Sequence, residues 1–130
     1  MLSTEISLRA HLMRRAGFGV NRKELEELAK RDYDSIVDDL IHPERFESVD
    51  EDVVERYTHG RPRQWDWIYW MVTTKRSLEE KMTLLYHHIF ATANYKSDNP
   101  QASYRQIEMF RSNAMGKFGD MLLKLSRDPA

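Results

Sequence analysis

The chain has 130 residues, 41% hydrophobic and 32% charged, with a net charge of −1 and no cysteine. That balance describes a folded globular chain rather than a disordered one, and the length fits a single domain able to bury a core. Disulfides, thiolate metal sites and a cysteine nucleophile are excluded, and the near-zero charge provides no general field for steering onto nucleic acid.

No stretch approaches the ~20 apolar residues of a membrane span. The start, MLSTEISLRAHLMRRAG, lacks the unbroken apolar centre of a signal peptide. A cytoplasmic location is therefore expected if Met1 is the true start.

Helical spacing governs nearly the whole chain. A first helix over Ser7 to Ala16 is expected to close at Gly17, a helix C-cap residue, before a Gly-Phe-Gly turn. Asn21 followed by Glu24 has the form of a capping box and starts a helix carrying Leu25 and Leu28. Asp34 opens a third, with Ile36, Val37, Leu40 and Ile41 apolar, and Pro43 stops it. Residues 44–62 hold Glu44, Glu47, Asp50, Glu51, Asp52 and Glu55 and read as an acidic, solvated connector with room for one short helix.

Next comes QWDWIYWMVTT, in which spacing separates Trp65, Ile68, Tyr69 and Val72 on one face from Trp67, Trp70, Met71 and Thr74 on the other. A helix apolar on two sides is expected to be sandwiched between neighbours as aromatic core. The competing reading is a stacking platform for bases or sugars flanked by Arg61 and Arg63. Ser77 with Glu80 suggests a second capping box, Asn99-Pro100 a cap and first-turn proline for a helix toward Gly116, and Phe118 to Leu125 a last helix. No strand-like alternation and no repeat occurs. The fold class is all-α, an irregular bundle of six or seven helices. The domain is residues 1–130 as one helical unit, or the N-terminal part of a larger one.

The adjacent histidines, His87 and His88, lie in EKMTLLYHHIFATANY. Leu78, Met82, Leu85 and Ile89 form an apolar stripe, widened by Tyr86, Phe90 and Ala93, which puts His87 roughly 140° and His88 about 120° from its centre, on opposite sides. Neighbouring helical histidines diverge by ~100°, and neither has a His, Asp or Glu three or four residues away. Glu80 is two turns from His87, about 10.5 Å along the axis. A local metal site is not expected. His87 remains a candidate general base because of its titration range, against the commoner role of a hydrogen-bonded packing residue.

His11, Arg14 and Arg15 share one side of the first helix. They are candidates for holding a carboxylate or phosphate, with clamping of the chain's own acidic segment as the favoured use. Arg111 falls inside the stripe Tyr104, Ile107, Ala114 and Met115, so it must be paired within the fold or face a ligand. No phosphate loop, nucleophile elbow or acid/base carboxylate pair occurs, and no cofactor is evident.

The blocks HLMRRAGFG, EKMTLLYHHIFAT and RQIEMFRSNAMGKFGDMLLKLSRDPA resemble, in order, a bacterial family catalogued as domain of unknown function 1800. Its members typically read H-L-L-R-R-A-G-F-G, E-K-M-T-L-F-W-H-x-H-F-A-T, then Q-x-x-x-F-R leading to S-x-D-P-A. The resemblance covers His11, Arg14, Arg15, Gly17, Gly19, Glu80, Lys81, Met82, His87, Phe90, Gln106, Phe110, Arg111, Gly116 and Asp128. This chain departs from it at Tyr86, where tryptophan is usual, and at Ile89, which replaces the second histidine.

The resemblance implies a bacterial origin, a pattern that continues past Ala130, and relatives that accompany exported proteins. It implies no activity or cofactor. The leading functional expectation is a helical scaffold or interaction segment that docks to its own further residues or to another protein. The alternative is part of an enzyme completed by further residues, with His87, Arg111 and the His11/Arg14/Arg15 group facing a cleft. Nucleic-acid binding through Arg61, Arg63 and the tryptophans ranks last.

Overall fold

A computed structural model describes residues 2–61, 64–90 and 100–129. The described residues form eight α-helices and no strand: α1 (Leu2–Arg15), α2 (Arg22–Leu28), α3 (Tyr33–Ile41), α4 (Glu51–Thr58), α5 (Gln64–Thr73), α6 (Ser77–Phe90), α7 (Pro100–Asn113) and α8 (Phe118–Leu125), with a 3-10 turn at Pro43–Arg45 after α3. The all-α reading holds. The count exceeds six or seven because the acidic segment folds its middle into α4, whose Val54 and Thr58 are buried. Asp50 caps α4 by accepting from the Asp52 N–H at 2.9 Å. The Asn99 cap expected for α7 lies outside the described residues.

The chain divides into two compact units, Met1–Lys81 and Met82–Ala130. The division falls inside α6.

In the first unit, α1 packs on α2 and α4 on α5. The capping box at α2 forms as expected: Asn21 Oδ1 accepts from the Glu24 N–H at 3.0 Å, and Glu24 Oε2 accepts from the Asn21 N–H at 3.1 Å. The cap of α3 is Asp32, two residues before the expected Asp34, accepting from the Ser35 N–H. Beyond Pro43, Arg45 donates to the Asp38 carboxylate and holds it below the usual carboxylate range. That pair is solvent-exposed, where ion pairs contribute little.

Two arginines close this unit through backbone carbonyls. Arg9, only 6% exposed, pairs with Glu5, donates to the Arg31 carbonyl at 3.0 Å and lies over the Tyr33 ring. It thereby fixes the start of α3 against α1. Arg76 donates through Nε and one Nη to the Phe46 carbonyl at 2.8 and 2.6 Å, tying the loop after the 3-10 turn to the start of α6.

Gly17 has a different role from the expected cap. Its φ is not positive; the left-handed residue is Gly19, φ 88°, whose N–H donates to the Met13 carbonyl at 3.1 Å. Gly17 is buried because the end of α1 meets the start of α6 there. A Cβ on it would lie 3.0 Å from Ser77 Cβ, 3.1 Å from Ser77 Oγ and 3.2 Å from the Met13 carbonyl oxygen. Ser77 is correspondingly the first helical residue, with Glu80 N–H bonding the Arg76 carbonyl, rather than the cap of a second capping box.

In the second unit α7 packs on α8. Tyr86, Phe110 and Met121 form the core, with Met82, Phe90, Met109 and Leu125 against it. Gln106, 2% exposed, donates to Asp128 at 3.2 Å, and Lys124 donates to Asn113 Oδ1 at 2.8 Å, so two polar joints fasten α8 and the segment after it to α7.

A methyl group at Gly17 has rigid neighbours. Gly17→Ala is expected to destabilise the chain by about 1–3 kcal/mol, the usual cost of overpacking, read from the urea midpoint with unchanged helical circular dichroism. An unchanged midpoint would show that the end of α1 does not approach Ser77 this closely.

Candidate functional site

The histidine helix differs most from its sequence reading. The expected stripe has Leu85 and Ile89 inward, yet these are 45% and 58% exposed. Glu80, Thr83 and Tyr86 are the buried residues of α6, at 1%, 0% and 7%. Tyr86, Met82 and Phe90 do face the core as the stripe expects; at ~100° per residue the centre of the buried face is turned by roughly 100°, toward Thr83 and Glu80. Two contacts set it: the Trp67 indole N–H of α5 donates to Glu80 Oε1, as a buried carboxyl group requires, and Tyr86 packs with Phe110 and Met121. His87 consequently falls on the flank of the buried face, half-buried, while His88 is exposed.

Burial pushes the His87 pKa down, and the neighbouring His88 adds a smaller downward effect. Arg111 on α7 is half-buried and engaged, as is His87. The described residues contain no group of three or more metal-ligating side chains.

The tryptophans are not a sandwiched core. No residue of α5 is buried; Trp65, Ile68 and Val72 are 45%, 47% and 80% exposed, and the other face is half-buried. Tyr69 stacks on Tyr57 of α4, ring centroids 5.4 Å apart. The Arg61 guanidinium lies over the Trp65 ring at 5.2 Å, so one face of the would-be platform is already occupied. Arg63 lies outside the described residues.

The third group, His11, Arg14 and Arg15, is exposed on the last turns of α1. Its expected clamp on the acidic segment does not form; none of the three takes part in an ion pair or side-chain hydrogen bond among the described residues. The start of the acidic segment is tied instead by Arg76, which donates to the Phe46 carbonyl. The buried cation of α1 is Arg9, one turn earlier, which the sequence pattern did not single out. Its signal was weak but present: Arg9 lies four residues after Glu5 on the same side of the helix.

Arg14 lines a cleft of about 580 Å³ between the end of α1, the loop that follows and α2. Ala10, Phe18, Gly19, Val20, Asn21, Glu24 and Leu25 complete its lining, with Val72 of α5 on one side. Lys81 Nζ stands 5.2 Å from the Phe18 ring centroid. A second cleft of about 640 Å³ shares Val20, Asn21 and Glu24 and is lined also by Met13, Lys23, Glu27, Leu28 and Arg31.

The model of the family described as Protein of unknown function (DUF1800) matches residues 11–130. The chain belongs to the DUF1800 family. No curated protein and no solved structure matches it. In this DUF1800 chain, several of the residues that carried the sequence resemblance are internal joints: Glu80 under Trp67, Gln106 on Asp128, Phe110 at 0% exposure, and Gly17 against Ser77. The His11/Arg14/Arg15 block is exposed, as are Gly19 and Gly116.

The His87 shift has a defined sign. Its folded pKa lies below the ordinary value of 6.5, so the unfolded chain binds more protons in that interval. Stability is full above about pH 6.5 and falls as pH drops from there to the folded value. Urea midpoints measured across this range should decline less in His87→Asn than in the parent. His88→Asn should remove only the smaller, repulsive part. Parallel curves for parent and His87→Asn would contradict the burial of His87.

Proposed function

We propose that the chain acts as a helical scaffold or interaction segment, whose uncovered apolar residues are met by another polypeptide segment. The observation that carries this reading is the distribution of large apolar side chains. Among the described residues seven hydrophobics are buried, two of them alanines, while thirteen large hydrophobics are exposed. Single exposed hydrophobics are ordinary, but rows of them mark contact surfaces.

The exposed residues fall into helical rows. Trp65, Ile68 and Val72 occupy one side of α5 at spacings of three and four, and Leu85 and Ile89 lie four apart on α6. Such i, i+3 and i+7 rows are the anchor pattern by which helices engage protein grooves and neighbouring helices. Thr58, Glu80, Gln106 and Asn113, four of the buried polar side chains, in contrast have partners inside the chain. No helix among the described residues is long and apolar enough to cross a membrane.

The reading is tested with a dye that fluoresces on apolar protein surface. The parent should bind it in its folded state, and Ile68→Glu together with Trp65→Glu should abolish most of the fluorescence without reducing helical circular dichroism or the urea midpoint. A parent that binds no dye, or a double variant that unfolds, would overturn the reading: the first shows no open apolar surface, the second shows that these residues are core.

A further inference from the structure

We propose that the cleft at the end of α1 binds a small soluble organic anion, a phosphate monoester or carboxylate carrying an apolar group. Its negative head would meet Arg14, and its apolar body would lie against Phe18, Val20 and Leu25. This site is independent of the interaction reading above; Val72, at one side of the cleft, is shared with the apolar row on α5, and the residues argued from are otherwise different.

Four observations converge on it. The first is unspent charge. Six arginines precede residue 50, and Arg9, Arg22, Arg31 and Arg45 each hold a carboxylate. Among the described residues Arg14 and Arg15 hold none, and His11 shares their side of the helix at spacings of three and four. Cations at a helix C-terminus are favourable in themselves through the helix dipole, which explains why they are tolerated there. It does not explain a cavity beside them.

The second observation is that cavity. Its volume of about 580 Å³ lies within the 300–1,000 Å³ common for small-ligand sites. The third is its wall. Phe18, 39% exposed, Val20 and Leu25 present apolar surface beside Arg14, and Lys81 places a further positive charge against the Phe18 ring. An apolar wall next to cations selects an anion with an apolar body over a bare ion, because the body gains burial that inorganic phosphate cannot.

The fourth is the fate of the one carboxylate in the lining. Glu24 Oε2 accepts from the Asn21 N–H in the capping box, so it is directed to backbone rather than to Arg14. The Glu24 charge persists and balances Arg14 within the lining, so the excess positive charge at the cleft comes from Lys81 against the Phe18 ring. Gly19, in the left-handed region with nothing within 4 Å of a notional Cβ, leaves the mouth of the cleft open.

Phenyl phosphate, benzoate and inorganic phosphate are the probes, titrated at one fixed, low ionic strength with amide shifts as the readout. Phenyl phosphate should shift the Phe18, Gly19 and Val20 amides and bind more tightly than inorganic phosphate. Arg14→Gln should weaken it about tenfold, equivalent to ~1.4 kcal/mol, and Arg14→Lys should recover part of that loss, since lysine keeps the charge without the bidentate fork. Arg14 is exposed, so both variants are expected to keep the parent's melting temperature.

Three results would overturn the proposal. Equal binding of phenyl phosphate and inorganic phosphate would show only a charged surface. Shifts unaffected by Arg14→Gln would place any binding elsewhere. Sedimentation with vesicles of an anionic phospholipid, without binding of the soluble probes, would show a membrane-facing patch instead of a cleft.

Discussion

A carboxyl group removed from water sets the arrangement of the middle of this chain. Glu80 is 1% exposed on α6 and accepts from the Trp67 indole N–H on α5. Burying such a group without a donor costs several kcal/mol, far more than exposing a leucine or isoleucine. The helix therefore turns its polar Glu80 and Thr83 inward and leaves Leu85 and Ile89 outside. The half-burial of His87 and the depression of its pKa follow from that rotation, as does the exposure of His88.

The same economy recurs elsewhere. Apolar core is small, and the loops are fastened by polar joints aimed at backbone carbonyls or at single side chains: Arg9 to Arg31, Arg76 to Phe46, Gln106 to Asp128, Lys124 to Asn113. Each such bond contributes about 1 kcal/mol net, but removing one partner strands the other in a dry environment. A fold built this way depends on the identity of particular polar residues more than on total apolar area. That fits a family resemblance carried so largely by polar and glycine positions, among them Glu80, Gln106, Gly17 and Asp128.

Much of the secondary structure was legible because its signals are local. The Asn21–Glu24 box, the stop at Pro43 and the first-turn Pro100 act within one helical turn, and each appears where the sequence places it. What failed required knowledge of a partner distant in sequence. Periodicity counts Leu85 and Ile89 as inward because it ranks residues by hydropathy, and it cannot see an indole thirteen residues earlier waiting for Glu80. It likewise read the aromatic helix as sandwiched, since nothing in α5 itself shows that one of its two apolar faces lacks a neighbour. Gly17 looked like a cap because glycine after a helix usually is; its actual constraint is Ser77, sixty residues on. The cationic triplet was visible, but its lack of internal carboxylate partners was not, because pairing is a property of the fold.

The central claim is that this chain closes its interior around polar joints and leaves helical rows of apolar side chains open. The absence of native cysteine makes site-specific thiol labelling a direct test. Single cysteines at Leu85, Ile89, Ile68 and Thr83 would be labelled in the folded state, each variant first checked for the parent's circular dichroism. The account predicts rapid labelling of Leu85→Cys, Ile89→Cys and Ile68→Cys, and labelling of Thr83→Cys only as fast as the chain opens. Slow labelling at Leu85 and Ile89 with rapid labelling at Thr83 would contradict it, and would restore the apolar stripe as the buried face of the histidine helix.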